Sequence, residues 1–228
     1  MDDLFADRAI RECTLTRDDV QALAGTPQTL IGCDLDEANL ARLDLSGWTF
    51  ERCTLRRADL TGAKLERTLW QSCRASFANL TGADLSEAAF TACDFNNASL
   101  KRCALEAARF IRCKLTGADL SETKGLDVDF EETLLVNARL AGRSFRKASL
   151  VRLDFSQADL RNCDFRMTSF EDCSLREALL DGARFEGADL RGADLGGVRL
   201  GDAARFRGAT ISRDQAGQLL GELGLKVR

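Results

Sequence analysis

An all-β solenoid, a four-sided coil of stacked parallel strands ending in one C-terminal α-helix, is the fold class predicted by three features of the sequence. From Leu30 to Leu200 every fifth residue is Leu or Phe at 32 of 35 positions, with Trp70, Ala75 and Gly125 as the exceptions. Two places before most of these large residues stands a small one, usually Ala or Cys, as in Ala58-Asp59-Leu60 and Cys163-Asp164-Phe165. Seven of the nine cysteines, Cys13, Cys33, Cys53, Cys73, Cys93, Cys113 and Cys173, lie multiples of twenty residues apart. A period of five matches neither an amphipathic helix (~3.6) nor a half-buried strand (~2.0), so the backbone must turn a corner in every repeat.

The elements follow in order. Thr16 to Pro27 departs from the motif, and Asp18-Asp19-Val20-Gln21-Ala22-Leu23-Ala24 reads as a short helix before Pro27 resumes a strand. Residues 1–27 are therefore expected to form an N-terminal coil with an irregular or helical cap, since open solenoid ends need covering. Over residues 28–211 the Leu/Phe and the Ala/Cys positions both point into a narrow core, while the polar residues between them face water. The series Leu40 to Leu180 at intervals of twenty is unbroken and has Ala two places before each member, so one side carries only Ala and Leu. Glycines two places after the centres, among them Gly62, Gly82, Gly117, Gly182, Gly187 and Gly192, suit corners of positive φ. Four such sides per repeat give about nine coils stacked ~4.8 Å apart. After Leu200 the register slips by one and Phe206 and Ile211 become the centres. Residues 212–228 form the capping helix: Ser212 and Gln215 make a capping box, Ala216, Leu219, Leu220 and Leu223 an apolar stripe, and Gly224 the stop. Leu225 and Val227 suit a short strand beyond it. A stripe of this kind must be buried against the last coil, a second chain, or both.

Composition narrows the function. With 32 Lys and Arg against 36 Asp and Glu the net charge is −4, which argues against general electrostatic binding to nucleic acid or to acidic membranes. Histidine is absent, which removes histidine acid–base chemistry, catalytic triads and His-containing metal sites. No phosphate loop or closed pocket is suggested either, so a non-enzymatic protein without cofactor or metal is expected. Acidic residues near the start and the lack of a long apolar run point to the cytoplasm.

The units Ala58-Asp59-Leu60-Thr61-Gly62 and Ala118-Asp119-Leu120-Ser121-Glu122 resemble the pentapeptide-repeat family. That resemblance implies a right-handed quadrilateral parallel β-helix. The segment Asp214 to Val227 is similar to the C-terminal end of the Qnr-type quinolone-resistance group. In that group, the resemblance implies, the helix joins two chains into a homodimer that binds DNA gyrase or topoisomerase IV and protects it from topoisomerase poisons. Ala216, Leu219, Leu220, Leu223, Leu225 and Val227 would then form the dimer interface. The family is also described as a DNA mimic, although outward acids and bases here are nearly matched. The unbroken register from Leu30 to Leu200 leaves no room for the projecting loops of the Qnr branch. The alternative is an interaction scaffold with an unrelated regulatory partner.

The cysteines read as a buried thiol ladder, because Cys-x-x-Cys pairs are missing. Parallel stacked side chains would hold the sulfurs about 4.8 Å apart, too far to oxidise without distortion. Carboxylates just before the centres, such as Asp34, Asp94, Asp154 and Asp194, read as acceptors of turn hydrogen bonds. The best acidic patch is Asp127, Asp129, Glu131 and Glu132. Phe77, Ile111, Leu126, Leu134, Val136, Val151 and Met167 fall at outward positions. Ile111, Leu134, Val136 and Val151, beside that patch, are the candidate apolar part of a partner-binding surface. Gly125 leaves a thin spot in the core that Leu126 is expected to fill by turning inward.

Overall fold

Twenty residues separate each strand from the strand it pairs with: Ile10 faces Leu30, Leu30 faces Phe50, and Phe50 faces Trp70, all in parallel. The computed structural model describes residues 9–198, 203–222 and 224–226. It is a parallel β-solenoid of about nine turns with a C-terminal helix. Two units can be separated, one running to Lys114 and including Thr123–Asp129, the other comprising Leu115–Glu122 and the chain from Phe130.

In the first unit, β1 (Ile10–Arg11), β2 (Thr29–Ile31), β3 (Thr49–Glu51), β4 (Leu69–Gln71), β5 (Ala89–Thr91) and β6 (Arg109–Ile111) pair in chain order. Single bridges such as Asp34↔Thr54, Asn39↔Asp59 and Asp44↔Lys64 run up the other three sides. The inward residues are mostly apolar, with Thr68 a buried exception, so each turn seals its own share of the core. Leu30, Leu40, Leu45, Trp48, Phe50 and Leu60 are all buried. Aromatic residues stack at the rung spacing, with Phe50 on Trp70 at 4.2 Å and Phe90 on Phe110 at 4.6 Å.

The excursion before Pro27 contains α1 (Arg17–Leu23), capped by Thr16 and Asp19 in a reciprocal box. It keeps the twenty-residue count, because Ile10 still faces Leu30 and Thr14 still bridges Asp34. Val20, which stands twenty before Leu40, is buried. The helix thus covers the first turn with an apolar residue in the place a strand centre would take.

In the second unit, β7 (Asp129–Glu131, its first residue still in the first unit), β8 (Ser149–Val151) and β9 (Ser169–Glu171) pair in order, and β10 (Cys173–Ser174) pairs with β11 (Ala193–Asp194). Phe145, Phe165, Phe185 and Phe206 form one column, the successive centroids 5.0, 4.9 and 4.9 Å apart. The last step spans twenty-one residues, as does the bridge Asp189↔Thr210, which is the slip the sequence announces. Ile211, expected as the next centre, is instead exposed, because the chain leaves the rung to begin α2 (Arg213–Glu222). Arg143 occupies an inward position, its guanidinium 5.6 Å from the Phe130 ring and 6.0 Å from that of Phe145. Burial lowers its pKa to about 10.

Of the corner glycines read from the sequence, Gly62, Gly82, Gly117, Gly182 and Gly187 have positive φ and Gly192 does not, but many corners carry other residues. Among the described residues twenty-five non-glycine residues have positive φ, every one two places after a centre. Arg57 (φ 56°) and Phe77 (φ 61°) are examples. A left-handed L-residue costs ~1–2 kcal/mol, but here its N–H donates to the next turn, as Arg57 does to the Ser76 carbonyl at 3.1 Å. The preceding Asp or Asn adds a second bond. Asp34 Oδ1 accepts from the Asp36 N–H at 2.9 Å, and Asp94 and Asp154 do the same for Asn96 and Ser156.

Candidate interaction surfaces

The acidic and apolar residues singled out from the sequence divide between the two units. In the first, Ile111 is half-buried at the end of β6, while Asp127 and Asp129 are exposed. Leu126 does not turn inward: its side chain is 70% exposed. The Gly125 backbone itself fills the thin spot, lying so close to the rung below that a Cβ would sit 2.5 Å from the Glu106 nitrogen and 2.7 Å from the Leu105 carbonyl carbon. The Leu126 N–H is held by Glu106 Oε2 at 2.8 Å and its carbonyl by the Ala107 N–H at 3.1 Å, leaving the side chain outside.

In the second unit, Glu131 pairs directly with Val151 across β7 and β8. Arg152 places Nη2 3.8 Å from Glu131 and hydrogen-bonds Glu132, and those bonds raise the arginine pKa. The two glutamates are therefore partly neutralised. Leu134 bridges Asp154 on the next side and is exposed, with Val136 half-buried beside it. Glu131, Glu132 and Val151 are thus brought together with a basic residue that the acidic reading did not include.

A feature less visible in the sequence lies on the first unit. Asp36, Glu37, Arg56, Arg57, Ser76 and Phe77 line an open groove at one corner. Arg56 binds Asp36 through both its backbone N–H (2.7 Å) and its Nε (3.0 Å), and Arg57 lies 3.8 Å from Glu37. Phe77, 56% exposed and in the left-handed region, stands beside these pairs. Leu69 and Leu179 are further exposed apolar residues that the outward-position survey missed.

At the C-terminus the capping box is present: Ser212 Oγ accepts from the Gln215 N–H at 3.1 Å, and Gln215 Oε1 accepts from the Ser212 N–H at 2.6 Å. Gln215 Nε2 donates to the carbonyls of Leu190 (2.7 Å) and Ala193 (2.6 Å). Leu219, one turn on, is only 6% exposed within its own chain, so it faces the coil and not a free surface. Ala216 is half-buried, whereas Leu220 and Leu225 are 39% and 56% exposed. Leu223 and Val227 lie outside the described residues.

All nine cysteines are free, and eight are buried. Most of the buried thiols donate to carbonyls twenty-three residues back, as Cys73 does to Phe50 (3.2 Å) and Cys103 to Leu80 (3.0 Å). Burial pushes Cys103 and Cys163 up to about 12, the opposite of an activated nucleophile. Among the described residues no group of three or more Cys, Asp or Glu could hold a metal ion, and no helix is long and apolar enough to cross a membrane.

Stacked rungs, left-handed corners and chemistry-poor outer faces define a parallel β-solenoid whose usable parts are its surfaces. The chain belongs to the pentapeptide repeat family, whose model matches in eight copies, with stretches at residues 30–69, 71–106, 89–124, 103–142, 126–162, 138–176 and 168–213. No curated protein sequence matches it. Among solved structures it is similar to full-length QnrB1, a plasmid-mediated fluoroquinolone resistance protein, with TM-score 0.71, 18% identity, and 95% of this chain and 100% of that one covered. It is also similar to HetL, a pentapeptide repeat protein involved in heterocyst differentiation regulation from the cyanobacterium Nostoc sp. strain PCC 7120, with TM-score 0.51, 25% identity, and coverage of 89% and 84%.

Proposed function

We propose that the chain is a non-enzymatic binding protein that docks on DNA gyrase or topoisomerase IV and protects the enzyme from topoisomerase poisons. The observation that carries this reading is the likeness to QnrB1 over 95% of this chain and 100% of that one. In this reading the protein works in the cytoplasm without binding nucleic acid directly. Two copies associate through the part of α2 and its C-cap that remains uncovered, Leu220 and Leu225. The corner groove around Phe77 is the partner-facing feature in the first unit, because an exposed aromatic flanked by ion pairs is the composition of an interface anchor.

The test is gyrase supercoiling and drug-stabilised DNA cleavage with the purified chain added. Supercoiling should be restored in the presence of a fluoroquinolone at protein concentrations that leave the drug-free reaction unaltered. No change in either reaction would replace this reading by the second one, an interaction scaffold for a regulatory partner, which the likeness to HetL favours.

A further inference from the structure

The thiol ladder is sealed along its length but open at its first rung. Cys13 is the one cysteine of the nine that is not buried, and Cys33, directly above it, is 1% exposed. Their sulfurs are 3.6 Å apart, closer than stacked parallel side chains would place them. The backbones are locked in adjacent rungs: Thr14 bridges Asp34, the Asp34 N–H donates to the Cys13 carbonyl at 2.9 Å, and the Glu12 N–H donates to the Ile31 carbonyl at 2.9 Å. Neighbouring strands in register stand ~4.8 Å apart, within the Cα range of a disulfide, so side-chain rotation with a small closing movement at the open first rung brings the sulfurs from 3.6 Å to ~2 Å. Further along the column, Cys53, Cys73, Cys93 and Cys113 are buried, out of reach of a solvent oxidant.

We propose that Cys13 and Cys33 are a modification site, a thiol pair converted reversibly to a disulfide by a low-molecular-weight disulfide such as oxidised glutathione. The Cys13 thiolate attacks one sulfur of the oxidant; the oxidant's S–S bond breaks and one glutathione thiolate leaves. Cys33 then loses its proton to solvent and its sulfur attacks that of Cys13, expelling the second glutathione. Two electrons pass from the two protein thiols to the oxidant, which ends as two molecules of reduced glutathione. The second step is the slower one, since burial holds the Cys33 thiol up at about 11. The product closes the segment carrying α1 into a covalent loop and ties the first strand to the second.

The folded full-length chain is incubated with oxidised glutathione and followed by intact mass and by peptide mapping after alkylation. The expected course is a transient adduct of one glutathione on Cys13, then a chain two hydrogens lighter whose only cross-linked peptides contain Cys13 and Cys33, reversed by dithiothreitol. Cys33→Ala, which places at this site the residue commonest at the small inward positions of the coil, should stop at the adduct, and Cys13→Ala should give neither product. A permanent adduct on the parent chain, a disulfide formed in Cys33→Ala, or an unmodified parent chain would each overturn the proposal.

Discussion

Gln215 reaches from the first turn of α2 to the carbonyl of Leu190 at 2.7 Å, which also accepts from the Ala193 N–H at 2.9 Å, and its second bond, to the Ala193 carbonyl at 2.6 Å, gives a buried partner to a backbone group at the end of the ladder. The same side chain closes the capping box with Ser212. One residue therefore starts the helix and fastens it to the coil. Gln215→Ala should lower unfolding stability by about 1–3 kcal/mol, since the Ala193 carbonyl loses its bond and an abandoned buried acceptor costs ~1–3 kcal/mol. Gln218→Ala, on the exposed side, should change it by less than about 0.5 kcal/mol. Urea denaturation of the two variants makes the comparison.

Leu219 and Leu220 are adjacent but should report different things. Leu219→Asp puts a charge where the chain covers itself and should destabilise the fold by about 3 kcal/mol or more. Leu220→Asp changes an exposed side chain and should leave the melting temperature nearly unaltered while converting the proposed dimer to monomer in light scattering. A dimer that survives Leu220→Asp would show that α2 is only a cap.

Gly125→Ala should be costly. The substituted Cβ would meet backbone, not a movable side-chain tip, and φ is 118°. Strain and clash together should lower stability by about 3 kcal/mol, read as a downward shift of the urea midpoint. Gly142→Ala, whose Cβ meets nothing within 4 Å although φ is 79°, should cost about 1 kcal/mol.

Trp48 is fully buried with its Nε1 hydrogen unpartnered, whereas Trp70 donates its own to Thr68 at 2.9 Å. Trp48→Phe should therefore be neutral or raise stability by up to about 1 kcal/mol, the lost ring area offsetting the relieved donor. Trp70→Phe should destabilise, because the Thr68 hydroxyl loses that bond. Thermal melts of the two variants decide the order.

Acid should weaken the protein through its turn carboxylates. The side-chain bond from Arg191 holds Asp189 down at about 2, and Asp159 and Asp164 are lowered in the same way by Arg161 and Arg166. Their folded values lie below the unfolded ~3.9, so the stabilisation is complete above about pH 4 and disappears as pH falls towards 2. These pairs are solvent-accessible, and screening keeps the contribution of each small. The melting temperature should fall gradually between pH 4 and 2, and less steeply in Asp189→Asn.

The ladder was legible in the sequence because a five-residue recurrence of Leu and Phe has no helical or simple strand counterpart, and the aligned cysteines set the turn length. Asp34 and its equivalents were legible as turn acceptors for the same reason: the short side chain has one obvious donor two residues on. Arg57 and Phe77 at left-handed corners were not, since local preference favours glycine there and only the hydrogen bond to the next turn overrides it. Periodicity marks Leu219 and Leu220 alike as one helix stripe; whether each meets its own coil depends on how α2 is docked, which Gln215 decides. Arg152 escaped the acidic reading because its pairing with Glu132 runs between turns, twenty residues away in sequence.

Because the paired strands and bridges within each unit keep a twenty-residue count almost throughout, the coil tolerates exchange of letters far better than a change in their number. One residue added mid-coil would throw every later Leu out to solvent and draw an Asp inside, a disruption that the N-terminal helix avoids by keeping count from Ile10 to Leu30. The single extra residue that the chain does absorb, between Asp189 and Thr210, comes where almost nothing remains to be misaligned. Viable length variants of this protein should accordingly cluster near its two ends.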